Sequence, residues 1–125
     1  MRDLYSNIVA LVGLIPAVQA AAATGATIDT QGAGRIAFAV STGAIAGDGA
    51  FGLTLQESDN GTDWAAAPSE AIQSNAPDVL EADEAYRLGY LGHKRYVRLS
   101  LTKASGTSII AGAVAVLDPL SKPVA

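Results

Sequence analysis

The chain has no cysteine, which excludes a disulfide frame and a thiolate metal site and is compatible with a reducing compartment. Aromatic residues are scarce, at 6%, and charged ones make up only 16% of the 125 positions. Basic residues are outnumbered: the net charge of -4 argues against a general nucleic-acid binder, which needs surplus Lys and Arg to neutralise phosphates. Long apolar runs are missing as well. The stretch 8–18 is interrupted by Pro16, falls short of the roughly 20 residues that span a bilayer, and is followed by Gln19. No membrane contact is expected. The same stretch has the outline of an export signal, with Arg2 ahead of it and the small residues Ala20 to Ala23 behind, but Asp3 offsets Arg2 and Pro16 breaks the run. Residues 1–24 are therefore read as an N-terminal arm or a first strand.

What the chain does have is apolar bulk of a small-residue kind. Hydrophobic residues reach 50%, many of them alanine, so part of the apolar surface is expected to lie under a partner. The charges are segregated along the chain. Between Glu57 and Glu84 every charge is acidic, and between Arg87 and Lys103 every charge is basic. Like charges crowded on one small surface repel. The two tracts are therefore expected to face each other, within the chain or across a subunit boundary, which points to assembly more than to chemistry.

A period of two recurs along the sequence, as in strands with one buried face. Residues 35–42 put Ile36, Phe38 and Val40 on one side; residues 51–57 do the same with Phe51, Leu53 and Leu55, leaving Thr54 and Gln56 outward. Residues 96–102 place Val97, Leu99 and Leu101 inward. Further strands are expected over 86–91 and over 108–117, the latter so continuously apolar that both its faces are expected to be buried. Turn residues separate these runs: Gly43 to Gly49, Asp59-Asn60-Gly61, Gly92 and Ser105-Gly106. Residues 68–85 are less regular, with one short helical turn expected over 78–85. The tail 118–125 carries Pro119 and Pro123, and proline has no ladder donor, so an extended arm is expected there. The whole reads as a single, mostly β domain over 1–125, an antiparallel β-sandwich or jelly-roll-like barrel with extended terminal arms.

Each chemically suggestive cluster has a plainer reading. Residues 47–52 satisfy G-x-G-x-x-G, but they lead into a strand and not into a helix N-terminus, so their glycines are read as a turn. Asp59, Asn60 and Asp63 are rich in oxygen yet lack a calcium-binding register, and fit an Asx-stabilised turn. Asn60-Gly61-Thr62 has the form of a glycosylation sequon and is read as a polar turn. The sole histidine, His93, lies in a polar turn with no partner signature for acid–base or nucleophilic work. No catalytic residue, metal or cofactor is expected. Trp64 and the tyrosines near the basic tract are read as packing or subunit contacts, with sugar stacking by Trp64 as the alternative use.

Three stretches carry a likeness: FGLTLQESDNGTDW (51–64), YRLGYLGHKRYVRLSLT (86–102) and GTSIIAGAVAVL (106–117). The opening MRDLYSNI and the strings IDTQG and VSTGAI extend it over most of the chain. Together they resemble the small head proteins of tailed bacteriophages that decorate or cement the shell. The resemblance implies a virion structural protein, made in the host cytoplasm and seated on the outer surface of the capsid. It further implies that the protein binds between major capsid protein subunits, as a homotrimer near three-fold or quasi-three-fold sites. In that reading Arg87, Lys94, Arg95 and Arg98 are polar contacts to acidic neighbours, and Leu4, Tyr5, Ile8 and Leu11 belong to an interlocking arm. The alternatives are a lectin-like carbohydrate-binding sandwich using Trp64, or a virion protein of the tail or head–tail joint.

Overall fold

The computed structural model describes residues 3–120. In chain order the strands are β1 (Val9–Gln19), β2 (Ala23–Thr24), β3 (Ile28–Asp29), β4 (Ala33–Ala46), β5 (Ala50–Ser58), β6 (Ala65–Ala66), β7 (Ile72–Ser74), β8 (Ala85–Tyr90), β9 (Tyr96–Ser105) and β10 (Ser108–Pro119). They form two antiparallel sheets. The first runs β1-β10-β4-β8-β7; the second runs β2-β9-β5-β6, with β3 also paired to β9. The mostly β, sandwich reading holds, and neither sheet closes into a barrel.

Alternation in the sequence becomes alternation in burial. Ile36, Phe38 and Val40 of β4 are buried, as are Val97, Leu99 and Leu101 of β9 and Phe51 and Leu55 of β5. Small and large residues interdigitate across the core: Ala113 and Ala115 of β10 lie beside Val40 and Phe38 of β4. Each large side chain so enclosed contributes about 1.5–3 kcal/mol relative to exposure. Leu80, from the loop between β7 and β8, closes one end of the core at 1% exposure, and its N–H donates to the Phe51 carbonyl at 2.8 Å.

The connections from β4 to β5 and from β9 to β10 both cross between sheets and lie side by side. Gly47 and Asp48 both have positive φ, 60° and 54°, which is the turn type whose twist suits a tight reversal. Gly106 has φ 88°, and a Cβ there would stand 2.3 Å from the Gly49 Cα. The glycines of the G-x-G-x-x-G string thus serve a turn, as read, although β4 runs on through Gly43 to Ala46 and the turn itself is shorter than expected.

Of the two readings of the N-terminal apolar run, it is the strand that the structure has: an edge strand, with Pro16 at a register shift between Leu14 and Ala17 where a missing N–H does little harm. Three expectations need correction. β10 is not buried on both sides: Ile110 and Val114 are each 43% exposed, because none of the described residues forms a layer over the outer face of the first sheet. Asp118 and Pro119 continue β10 and are not an arm. β1 stops pairing at Val9 opposite Leu117, so beyond that point β10 has a neighbour only in β4. The rest of the expected tail, 121–125, lies outside the described residues. Finally, residues 78–84 form no helical turn. Short 3-10 turns sit at Tyr5–Asn7 and Ser69–Ala71 instead, and the loop is tied to β4: Thr42 Oγ1 donates to the Glu81 carbonyl at 2.6 Å and accepts from the Glu84 N–H at 3.0 Å.

Candidate interaction surface

Cross-strand register defines the outer face of the first sheet. One row reads Val12, Val114, Ala39, Arg87; the next reads Ala10, Val116, Ala37, Gly89, Gln73; a third joins Val18 to Ile110, which packs on Gly43. The centre of this face carries no charge. Val12 is 54% exposed and Val18 63%. Where Ala37 meets Gly89 the sheet has little side-chain bulk, which leaves a groove of about 590 Å³ bordered by Leu4, Ile8, Leu91 and Val116 and, at one end, by the Arg35–Asp118 ion pair. A smaller depression of about 400 Å³ continues past Gly89 to Asn75 and Arg87.

The expected arm residues fall in two places. Leu4 and Tyr5 project into solvent beside the groove, and Ile8 is half-buried at its wall. Leu11 is on β1 opposite Ala115, the inward side of the sheet, at an edge the second sheet does not fully cover.

The basic tract does not form one patch. Arg87 is on the outer face of the first sheet, and its backbone N–H donates to Asn75 Oδ1 at 2.8 Å. Lys94 and Arg95 sit at the end of the sandwich: Lys94 Nζ donates to Asp59 Oδ2 at 2.7 Å, and Arg95 grips Asp29 with two bonds, from Nε at 3.0 Å and Nη2 at 2.9 Å. Arg98 lies on the opposite side of the molecule, donating from Nε to Gln56 Oε1 at 2.6 Å with its guanidinium 4.2 Å from the centre of the Trp64 ring. Those side chains cover Gln56, which is half-buried where the alternation placed it outward. One face of Trp64 is thereby occupied by a cation.

Of the three ion pairs among the described residues, Lys94 with Asp59 alone joins the acidic tract to the basic one; the others are Arg95 with Asp29 and Arg35 with Asp118. The facing-tract expectation is met at one point only. The Arg95 guanidinium, and then the Gln31 N–H, hold the Asp29 carboxyl below the usual carboxylate range, while the Asp59 carboxylate raises Lys94.

Tyr90, one of the tyrosines expected to pack, does so, and it also makes a bond that sequence reasoning missed. Its ring is buried in the first sheet, and its hydroxyl donates to Glu57 Oε1 of the second sheet at 2.7 Å while accepting from the Lys94 N–H at 3.2 Å. Burial, followed by the bond to Glu57, pushes the phenol up to about 12. The 59–63 loop is an Asx-type turn, as read: Asn60 Oδ1 accepts from the Thr62 and Asp63 N–H groups at 2.8 and 2.9 Å, and Gly61 has φ 76°. His93 is exposed and lines a hollow of about 210 Å³ with Thr30, Arg35 and Lys94.

An apolar sheet face, a shallow groove and a projecting N-terminal segment make a surface suited to adhesion. No model of a known protein family matches the chain, and neither does any curated protein or any solved structure.

Proposed function

We propose that the chain is a virion structural protein of a tailed phage that decorates the outer surface of the capsid and stabilises it by binding between major capsid protein subunits. The observation that carries the reading is the apolar centre of the outer face of the first sheet, Val12, Val114, Val116, Ala37 and Ala39, with the exposed Leu4 and Tyr5 at its border. Such a surface favours contact through removal of apolar area from water, at about 25 cal/mol per Å². The resemblance described above supplies the particle. The groove beside Leu4 and Ile8 gives the neighbouring subunit a place to insert, and the dispersed basic residues set orientation more than affinity.

The test compares heads assembled with and without the protein under heat or osmotic shock. Retention of packaged DNA to a higher temperature with the protein bound is the expected result. Equal rupture of both preparations would remove the cementing role.

A further inference from the structure

We propose that Asn60 is a chemical modification site: its side-chain amide deamidates through attack by the Gly61 nitrogen, and the native turn holds that reaction shut. The proposal is independent of the capsid role and concerns the loop between β5 and β6.

Three asparagines occur in the chain, Asn7, Asn60 and Asn75, and Asn60 alone precedes glycine. Ring closure needs the next residue's backbone nitrogen to reach the asparagine Cγ, and a side chain on that residue hinders the approach. Ile8 and Ala76 supply such a side chain, and Gly61 has none. In the reaction the Gly61 nitrogen gives its proton to solvent hydroxide and bonds to Cγ, the Cγ–Nδ2 bond breaks, and the nitrogen takes a proton from water and leaves as ammonia. Water then opens the cyclic imide. Opening at Cγ leaves an aspartate; opening at the main-chain carbonyl routes the backbone through the side chain. Nothing is oxidised or reduced, and water is the sole co-reactant.

The folded turn withholds the geometry that this step requires. The Gly61 N–H, which must be released, donates to Ser58 Oγ at 2.9 Å. Asn60 Oδ1 accepts from the Ser58 hydroxyl at 3.0 Å and from the Thr62 and Asp63 N–H groups at 2.8 and 2.9 Å, while Nδ2 donates to Asp63 Oδ2 at 3.0 Å. A carboxamide fixed at both ends turns its Cγ toward the Gly61 nitrogen only by releasing these bonds. The anchor is firm, since Ser58 is 2% exposed. Tyr96 covers one side as well: a Cβ at Gly61 would stand 3.6 Å from its ring. Reaction therefore follows the fraction of time the turn is open. The product puts a carboxylate oxygen where Nδ2 donated, against Asp63 Oδ2, so the turn that re-forms has exchanged a hydrogen bond for a like-charge contact.

Peptide mapping by mass spectrometry of the purified full chain, held at mildly alkaline pH with and without urea, is the test, with Asn7 and Asn75 as internal references. The expected result is conversion at Asn60 in urea, ahead of the other two, and a rate at least about tenfold lower in buffer alone, where the open fraction is small. Ser58→Ala frees the Gly61 N–H and one bond to Oδ1, and should bring the rate in buffer toward the rate in urea. Asp63→Ala, at an exposed position, spares the core and should accelerate conversion by a smaller factor. Circular dichroism checks the fold of each variant, and Asp63→Ala decides the matter should Ser58→Ala not fold. Equal rates with and without urea, a rate in buffer that folded variants leave unchanged, or an Asn60 that converts in urea no faster than Asn75 would overturn the proposal.

Discussion

Tyr90 joins the two sheets through a single side chain. Its ring belongs to the first sheet, its hydroxyl to a hydrogen bond with the second, and the partners are 33 positions apart. Tyr90→Phe should cost about 1–2 kcal/mol at neutral pH, because Glu57 loses a donor and the Lys94 N–H an acceptor. The pH dependence has a definite sign. A phenol raised from 10 to about 12 keeps its proton longer in the folded state, so its contribution is whole below pH 10 and is lost as pH rises toward 12. Two pKa units correspond to about 2–3 kcal/mol. Chemical denaturation from pH 7 upward should show the parent weakening above pH 10 and Tyr90→Phe lacking that phase. Gly106→Ala should be worse than its exposure suggests. A φ of 88° and a Cβ 2.3 Å from the Gly49 Cα imply a loss above about 2 kcal/mol, read as a lower denaturation midpoint. The glycine was visible in the sequence as a turn residue, but its neighbour was not, since Gly49 approaches it only when the two crossovers lie together.

At the scale of elements, the strands with clear alternation were legible and the uniformly apolar one was only half so. β4, β5 and β9 place polar or small residues between large apolar ones, and that pattern states which side faces the core. β10 offers Ile, Val, Ala and Gly at successive positions, so nothing in its composition separates the buried Ile109 from the exposed Ile110. The loop over 78–84 departs from the expected helical turn for a related reason. Its acidic residues tolerate a helical turn, yet Thr42, about 40 positions earlier, supplies hydrogen bonds to the Glu81 and Glu84 carbonyls that tie the loop to β4. Thr42→Val keeps the shape and removes those bonds, at an expected cost of about 1–3 kcal/mol. Amide exchange should then accelerate at Glu84 while Leu99 and Leu101 of β9 remain protected.

For the whole molecule, surfaces matter more than any single site. Leu4 and Tyr5 are 65% and 86% exposed and make little contact with the core. The double substitution Leu4→Ala with Tyr5→Ala should leave stability within about 0.5 kcal/mol and, under the proposed capsid role, abolish the protection of heads. Gly89→Val probes the groove in the same assay. A Cβ at Gly89 meets nothing closer than 3.7 Å, so the fold accommodates the side chain while the groove is filled; unchanged melting with lost head binding is the expected pair of results. The charge tracts illustrate the difference in scale. They look like two blocks along the chain, and folding sends Arg87, Arg95 and Arg98 to three different parts of the surface.

The order of the residues alone determined the β class, the main turns, the inward sets of three strands and the lack of thiolate chemistry, because these depend on local backbone preference and on composition. Tertiary structure decided which strands share a sheet, which face of the first sheet stays bare, and which charges meet. Those outcomes depend on contacts such as Tyr90 to Glu57 and Thr42 to Glu81, between residues far apart in the chain, and no local pattern carries them.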